Sequence, residues 1–267
     1  MKLIKLLIEG ETMSEYLSRL SEEERRKEER KLRIKQSRTD LDNSDLVTKM
    51  RVSHKMDPEK NSRSIVNAML KLDSLSQGTN DPLGCVIASF RMLRSAQGKN
   101  DLGQQRARQI IESNSGLVVG GSGGWARVDS LVGEVLGVDD VSDLSTFNWQ
   151  NIAPKDEAEE LKQSGWMTKL VKAIENRYLV LASMPMNYIY GEGSGTGGHA
   201  FVVRGLRVGE EGISFLINDP LEKTDSIDAD SFIEGMSGDT FPEQHIITAP
   251  TSESTKRKGI EIKRNNE

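Results

Sequence analysis

Residues 197–205 read Gly-Gly-His-Ala-Phe-Val-Val-Arg-Gly, and residues 213–220 read Ile-Ser-Phe-Leu-Ile-Asn-Asp-Pro. The polar segment 206–212 joins these two apolar runs, which predicts two adjacent strands of an antiparallel pair. In such a pair the start of one strand lies beside the end of the next, so His199 and Asp219 are expected side by side at one edge of a sheet. A histidine that is oriented by a carboxylate is half of a nucleophilic triad.

The chain has a single cysteine, Cys85, and this residue is the candidate nucleophile for such a triad. It follows the turn sequence Asp-Pro-Leu-Gly and begins an apolar pattern with helical spacing. The N-terminus of a helix favours the thiolate, which is the reactive form of a thiol. His199 would take the thiol proton and later protonate the leaving amine. Asp219, or the neighbouring Asn218, would hold the imidazole ring in the required tautomer.

The same chemistry needs hydrogen-bond donors for the oxyanion that forms when the carbonyl is attacked. The backbone N–H of Cys85 supplies one donor. A side-chain amide just upstream would supply a second, and Gln77 and Asn80 are both candidates for it.

Each of these residues alone has an ordinary structural interpretation. A lone cysteine is usually a small buried hydrophobic residue, and a lone histidine beside glycines is usually structural or solvated. The sequence Asn-Asp-Pro is usually a turn. The combination is more specific, because three separate signals fall at structurally compatible places in one domain.

Composition limits the other classes of function. The net charge of −5 gives no general electrostatic reason to bind nucleic acid. A single cysteine excludes an internal disulfide framework and a cysteine-based zinc site, and the chain has only three histidines. We therefore predict neither a metal site nor a cofactor. Hydrophobic residues make up 36% and charged residues 29%, which indicates solvated segments attached to a smaller core.

The N-terminal residues 1–8 resemble a signal peptide only briefly. Lys5 interrupts the apolar run, Glu9 ends it, and no small-residue cleavage pattern follows. We expect synthesis in the cytoplasm without a classical signal peptide, and non-classical delivery stays open. The native start is either Met1 or Met13, because residues 9–11 can be encoded by a purine-rich stretch similar to a bacterial ribosome-binding site.

Three segments are predicted along the chain. Residues 1–60 are a charged N-terminal helical arm and linker, in which Ser21 and Glu24 form a capping box. We expect this arm to be solvated or mobile, with residues 1 to about 55 removable without unfolding the rest, and the alternative is a helix that docks a protein partner. Residues 61–250 form the folded domain, and residues 251–267 form a charged mobile tail.

Within the folded domain, helical patterns come first and strand patterns second. The predicted elements are helices at 84–93, 104–113, 125–136, 155–163, 166–176 and 228–236, with strands at 177–184 and 244–249 beside the pair described above. This order predicts an α+β domain with an antiparallel sheet, not a doubly wound parallel sheet. No run approaches the roughly 20 apolar residues of a membrane span.

Three motifs resemble those of the papain-like cysteine peptidases: Gly84-Cys85 at the entry to a helix, Gly198-His199 at the start of a strand, and Asn218-Asp219-Pro220 at the end of the next. Over about residues 72–240 the chain is most similar to the bacteriocin-leader-processing peptidases and their bacterial relatives. The resemblance implies a papain-like fold, in which an N-terminal helical half packs its cysteine helix on a C-terminal antiparallel sheet. It implies Cys85, His199 and Asp219 as the triad, and an upstream glutamine as the oxyanion donor. Gln77 is the first choice for this donor, and Asn80 stays open because the spacing is loose.

The resemblance implies a papain-like cysteine hydrolase domain that cleaves a peptide or isopeptide bond in a peptide or protein substrate. One alternative keeps the triad in a cell-wall peptide hydrolase or a secreted effector. Another is a non-catalytic binding module on the same fold, with the charged arm as its binding element. Nucleic-acid binding and membrane insertion are not expected.

Overall fold

The computed structural model describes residues 20–56, 84–96, 100–113, 165–195, 197–237 and 246–249. The helices among these residues are α1 (Glu22–Asp42), α2 (Asp45–Met56), α3 (Gly84–Ala96), α4 (Gln104–Ser113), α5 (Trp166–Glu175), α6 (Asn187–Tyr190) and α7 (Ala229–Met236). The strands are β1 (Leu179–Pro185), β2 (Gly198–Gly209), β3 (Gly212–Asn218), β4 (Ser226–Asp228) and β5 (Ile246–Ala249). The two possible start residues, the predicted helices 125–136 and 155–163, and the tail 251–267 lie outside the described residues.

The five strands form one antiparallel sheet in the order β4-β3-β2-β1-β5. This arrangement confirms the α+β class and the antiparallel sheet. The loop predicted between β2 and β3 is shorter than expected, because β2 continues to Gly209 and buries Leu206 and Val208. Gly212 closes the turn with a φ of +113°, a conformation that glycine adopts without strain.

One face of the sheet carries the main hydrophobic core. The sheet residues in this core alternate along the strands: Val180, Ala182, Met184, Phe201, Val203, Leu206, Val208, Phe215 and Ile217. The alternation changes phase once in β2, where a register shift lies between Val203 and Gly205. Helices α5 and α7 pack on this face through Leu170 and Phe232, which are fully buried. The period of two along each strand therefore decides which residues face these helices.

Helix α3, which carries Cys85, covers the other face. It contacts β1 and β2, and its buried side chains, such as Ile87 and Phe90, are not part of the main core cluster. Sheet residues of the opposite alternation, such as Leu181 and Val202, are also buried. The helix predicted from the apolar spacing is thus present, and it packs on the antiparallel sheet.

Helices α1 and α2 differ from the expected solvated arm and linker. Leu41 of α1 and Val47 of α2 are 2% and 0% exposed, and both belong to the main core cluster. Met50 joins the same cluster, and α2 contacts β2. The average polarity of the segment hid these few apolar residues, because a helix needs only a narrow stripe to pack. Residues 22–56 are a packed layer over the sheet, and their removal would expose part of the core.

Polar contacts fix the position of α1 on the domain. The predicted capping box is present, since Glu24 N–H donates to Ser21 Oγ and Ser21 N–H donates to the Glu24 carboxylate. Arg30 Nη2 donates to Tyr188 Oη at 3.0 Å, and Arg38 Nε donates to Asp230 at 2.7 Å. The helix is therefore attached both to α6 and to the start of α7. Among the described residues, no helix is long and apolar enough to cross a bilayer.

Candidate active site

The hairpin β2–β3 brings His199 and Asp219 to the same end of the sheet. His199 is the second residue of β2, and Asp219 directly follows the last residue of β3. Val202 pairs with Asn218, so Asp219 lies one diagonal step from His199 and on the same face of the pair. The local antiparallel register thus places the two side chains together.

The side chains of His199 and Asp219 form a buried hydrogen bond. The distance from His199 Nε2 to Asp219 Oδ1 is 2.7 Å, and the two side chains are 3% and 0% exposed. This length is typical of a charge-assisted hydrogen bond. Because Nε2 is engaged by the carboxylate, Nδ1 is the ring nitrogen available to a second partner.

The carboxylate of Asp219 is also held by the backbone of the loop that follows it. Leu221 N–H donates to Oδ1 at 2.9 Å, and Lys223 N–H donates to Oδ2 at 3.0 Å. Thr224 N–H lies 3.4 Å from Oδ2. An aspartate that accepts backbone hydrogen bonds two residues ahead forms an Asx-turn, a common function of the sequence Asn-Asp-Pro. Here the turn fixes the carboxylate that faces His199.

Burial and hydrogen bonding act in opposite directions on the pKa values of this pair. Burial raises the pKa of Asp219, but the hydrogen bonds from His199 and from Leu221 N–H lower it overall. Burial lowers the pKa of His199, but the hydrogen bond to Asp219 and the contact with Cys85 raise it to about 9. Aspartate and imidazolium are therefore the favoured forms near neutral pH.

Cys85 lies in the first turn of α3 and contacts His199 across the end of the sheet. Its side chain interacts with the His199 ring and lies close enough to Tyr190 to influence that phenol. Cys85 is 9% exposed, whereas Ile87 and Ala88, further along the helix, are fully buried. The thiol therefore lies at the margin of the packed region, at the end of the helix that carries the positive dipole.

Tyr190 is a member of this group that the sequence analysis did not select. Its hydroxyl lies 3.0 Å from both Asp219 Oδ1 and Asp219 Oδ2, and its ring centroid lies 5.8 Å from that of His199. Burial, then the Asp219 charge, raises the pKa of Tyr190 well above its usual value, so the phenol keeps its proton. The only sequence indication is its place between β1 and the glycine-rich loop that leads to His199.

The structure distinguishes between the two candidate orienting residues, Asp219 and Asn218, but it does not describe the two candidate oxyanion donors. Asp219, not Asn218, makes the hydrogen bond to His199. Strand alternation directs the Asn218 side chain to the opposite face of the sheet, where it is 6% exposed. Gln77 and Asn80, the two candidate oxyanion donors, lie outside the described residues.

A cavity of about 560 Å³ opens beside the Asp219 loop. Arg204, Lys223, Glu222 and Asp225 contribute both signs of charge to its lining, but neither Cys85 nor His199 lines it. The cavity therefore borders the Asp219 loop and not the thiol or the imidazole. In the described part of the chain, no three His, Cys, Asp or Glu side chains are grouped in a way that suits a metal ion.

The site thus unites a thiol at a helix N-terminus, an imidazole and a buried carboxylate, with a tyrosine hydroxyl on the carboxylate. Comparison of the chain with protein-family models, with curated proteins and with solved structures gave no match in any of the three.

Proposed function

We propose that this protein is a papain-like cysteine peptidase that hydrolyses a peptide or isopeptide bond through a thioester on Cys85. The observation that carries the proposal is the buried 2.7 Å hydrogen bond between His199 and Asp219, with the single cysteine of the chain in contact with the same imidazole. A histidine buried for structural reasons alone needs one hydrogen-bond partner per nitrogen, but it does not need a thiol at a helix N-terminus.

The first half of the reaction forms the acyl-enzyme. Imidazolium and thiolate form when the Cys85 proton moves to Nδ1 of His199, and the sulfur attacks the substrate carbonyl carbon. The carbonyl oxygen becomes an oxyanion, which accepts a hydrogen bond from the backbone N–H of Cys85. Collapse of this intermediate breaks the C–N bond, and the imidazolium donates its proton to the leaving amine. The product is a thioester on Cys85 and a free amine.

The second half hydrolyses the thioester. Neutral His199 accepts a proton from water, and the hydroxide attacks the thioester carbonyl. The C–S bond breaks, the carboxylic acid leaves, and the thiolate–imidazolium pair is restored. Asp219 keeps the imidazole ring oriented in both halves and stabilises its cationic form.

The fold supports the same proposal. A cysteine-bearing helix lies on one face of an antiparallel sheet, and the sheet presents histidine and aspartate at its end. This is the arrangement that the resemblance to the bacteriocin-leader-processing peptidases implies. A side-chain amide from Gln77 or Asn80 completes the oxyanion site in this proposal. The substrate class is a peptide or protein, and the site needs no cofactor for this chemistry.

Alkylation of Cys85 with iodoacetamide tests the proposal without a known substrate. Because the chain has one cysteine, the mass of the intact protein reports this residue alone. A thiolate paired with His199 reacts rapidly near neutral pH, whereas a buried structural thiol reacts slowly. Screening of a peptide library and of cell-wall fragments, with Cys85→Ala as the control, then identifies the substrate. Slow alkylation of the wild-type protein at neutral pH would refute the peptidase proposal.

A further inference from the structure

A third segment of the chain, separate from β2 and β3, contacts the Asp219 carboxylate. Helix α6 places the Tyr190 hydroxyl 3.0 Å from each carboxylate oxygen. Oδ1 also contacts His199 Nε2 and Leu221 N–H, while Oδ2 contacts Lys223 N–H. The backbone N–H groups of the loop after Asp219 bind the carboxylate on one side. The Tyr190 hydroxyl, on α6, donates to it from a separate segment. The Tyr190 hydroxyl proton is shared between the two carboxylate oxygens. It therefore resists rotation of the carboxylate about the Cβ–Cγ bond of Asp219.

The ring of Tyr190 lies beside the same hydrogen bond. It packs against the His199 ring with an interplanar angle of 47°, and Lys223 Nζ lies 5.1 Å from its centroid. The tyrosine is thus placed between the His199–Asp219 pair and a surface cation. In this position the ring limits the access of water, and exclusion of water strengthens the electrostatic interaction between the imidazole and the carboxylate.

The geometry points to Tyr190 as a positioning residue, whose hydroxyl keeps Asp219 Oδ1 directed at His199 Nε2. This inference rests on the proposed peptidase function and adds a fourth member to the site. Tyr190 does not reach the reacting atoms in this role, and it acts through Asp219. The phenol is protonated through the working pH range, since burial and the Asp219 charge raise its pKa, and it therefore remains a donor.

Tyr188 provides a matched control on the same helix. Its hydroxyl accepts a hydrogen bond from Arg30 Nη2 at 3.0 Å. The two rings are half-buried and lie two positions apart on α6, and Tyr188→Phe and Tyr190→Phe each remove one hydroxyl from them. Of the two tyrosines, only Tyr190 contacts Asp219. A general loosening of α6 would therefore change the reactivity of Cys85 in both variants. A specific role of the Asp219 contact would change it in Tyr190→Phe alone.

The experiment measures the rate of Cys85 alkylation by iodoacetamide as a function of pH in the full chain. The titratable groups that contact the His199–Asp219 pair in the described part of the chain are Cys85 and Tyr190, with Lys223 across the tyrosine ring. We expect Tyr190→Phe to lower the rate near neutral pH roughly 5- to 50-fold, below the upper limit of about 150-fold for loss of a hydrogen bond to a charged group, because backbone N–H groups still hold the carboxylate. The pH profile of alkylation should move toward alkaline pH, because a less well held carboxylate stabilises the imidazolium less. Tyr188→Phe should keep the wild-type rate and profile.

A double-mutant cycle separates positioning from packing. If Tyr190 acts through Asp219, the effect of Tyr190→Phe should vanish in the Asp219→Asn background. An equal effect in both backgrounds would overturn the inference and leave a packing role. A rapid wild-type reaction that Tyr190→Phe leaves unchanged would overturn it too, while the peptidase proposal would stand. Slow alkylation of the wild-type protein would instead refute the peptidase proposal, and the role of Tyr190 would fall with it. Circular dichroism of each variant at the assay temperature verifies that the fold is retained.

Discussion

The end of the sheet that carries the candidate site and the layer formed by α1 and α2 are both assembled from distant parts of the chain, but different forces hold them. At the site, buried groups of opposite charge make short hydrogen bonds, such as the one between His199 and Asp219. In the α1–α2 layer, Leu41 and Val47 fill the core, and exposed ion pairs such as Arg38–Asp230 surround them. Charge arrangement matters most in the first region, and apolar packing matters most in the second.

This difference separates chemistry from stability. Variants at the site should change the reactivity of Cys85, and those that break the buried His199–Asp219 pair should lower the free energy of unfolding as well. Variants in the α1–α2 layer should lower that free energy and leave the reactivity of the folded protein near the wild-type value. The following predictions test this separation, from the largest expected effect to the smallest.

Replacement of Cys85 should abolish the chemistry. In Cys85→Ala the nucleophile is gone and no second cysteine exists to replace it, so we expect no measurable hydrolysis of a substrate from the peptide screen. Ser89→Ala is the matched control, because Ser89 lies one turn further along α3, is fully buried and has no hydrogen-bond partner among the residues that the structure describes. The control should keep full turnover and equal or greater stability. Full activity of Cys85→Ala would overturn the peptidase proposal.

Loss of the imidazole should have the next largest effect. His199→Ala removes the group that accepts the thiol proton and later protonates the amine. We expect turnover to fall by roughly 10²–10⁴, or more, because nucleophile activation is lost as well. Alkylation of Cys85 near neutral pH should slow in parallel, which checks the effect without a substrate. Alkylation at the wild-type rate would show that His199 does not activate the thiol.

Replacement of the carboxylate should cost less than loss of the imidazole. In Asp219→Asn an amide oxygen can still accept a hydrogen bond, but the negative charge that favours the imidazolium is lost. We expect turnover to fall by less than in His199→Ala, because the imidazole remains to accept the thiol proton. Asn218→Ala is the neighbouring control and should have a smaller effect, because Asp219 makes the hydrogen bond to His199. The reverse order would assign the orienting role to Asn218.

The same carboxylate variant should change the dependence of stability on pH. The raised pKa of His199 contributes stability that is fully present below pH 6.5 and lost as pH rises through about 9. The lowered pKa of Asp219 contributes stability that is present above pH 3.8 and lost as pH falls through its folded-state value. Both contributions are therefore complete between pH 3.8 and 6.5. Urea denaturation should show a smaller decline from pH 6.5 to 9 in Asp219→Asn than in the wild-type protein, and an equal decline would contradict the assignment.

Variants in the α1–α2 layer should change the free energy of unfolding instead of the reactivity of Cys85. Val47 is 0% exposed and Val52, five residues further along α2, is 53% exposed. Val47→Ala should lower the free energy of unfolding by about 2 kcal/mol, because two buried methyl groups are removed and a cavity remains. Val52→Ala should change it by less than about 0.5 kcal/mol. Both variants should keep the wild-type rate of Cys85 alkylation while folded. Equal and small effects of the two substitutions in urea denaturation would mean that the layer is not packed in solution.

The ion pairs around this layer should contribute least. Arg38 contacts Asp230 and Glu234 of α7, and its side chain is 42% exposed. Arg38→Ala should lower the free energy of unfolding by no more than about 1 kcal/mol, and added salt should reduce the difference further. Arg26→Ala, which breaks only the pair with Glu22 within α1, should have an even smaller effect. A loss of several kcal/mol in Arg38→Ala would mean that polar contacts, not the buried apolar residues, anchor the layer.

The elements with a strong local pattern were predictable. The spacing of apolar residues predicted α3, α4, α5 and α7, and α4 matches its predicted bounds, Gln104–Ser113. The edge strand β5 and the helix start at Asp228, which accepts from Ser231 N–H at 2.8 Å, were also expected. These features depend on residues within one or two turns of each other. Local propensity and capping therefore determine them.

The expectation of a solvated or mobile arm at residues 1–60 does not hold for α1 and α2, because Leu41 and Val47 lie in the core. The segment has a charged composition, and most of α1 is exposed or half-buried. Only Ser37 and Leu41 of α1 are fully buried, too few to produce an apolar stripe that a pattern would indicate. Packing of such a helix depends on the surface that receives it, and α5 and α7, with α2 beside them, make this surface. The average polarity of a segment does not indicate whether the rest of the fold provides such a surface.

The sequence by itself determined that His199 and Asp219 meet, because an antiparallel hairpin joins them and its register is a local property. It also determined the candidate nucleophile, since Cys85, at the start of a helix, is the only thiol in the chain. Only the tertiary structure decided that Cys85 contacts that histidine, that Tyr190 holds the carboxylate from 29 residues away, and that α1 and α2 belong to the core. These three results depend on how separate elements pack against one sheet. Contacts of this kind are set by the shape and burial of the whole domain, which no local pattern of residues contains.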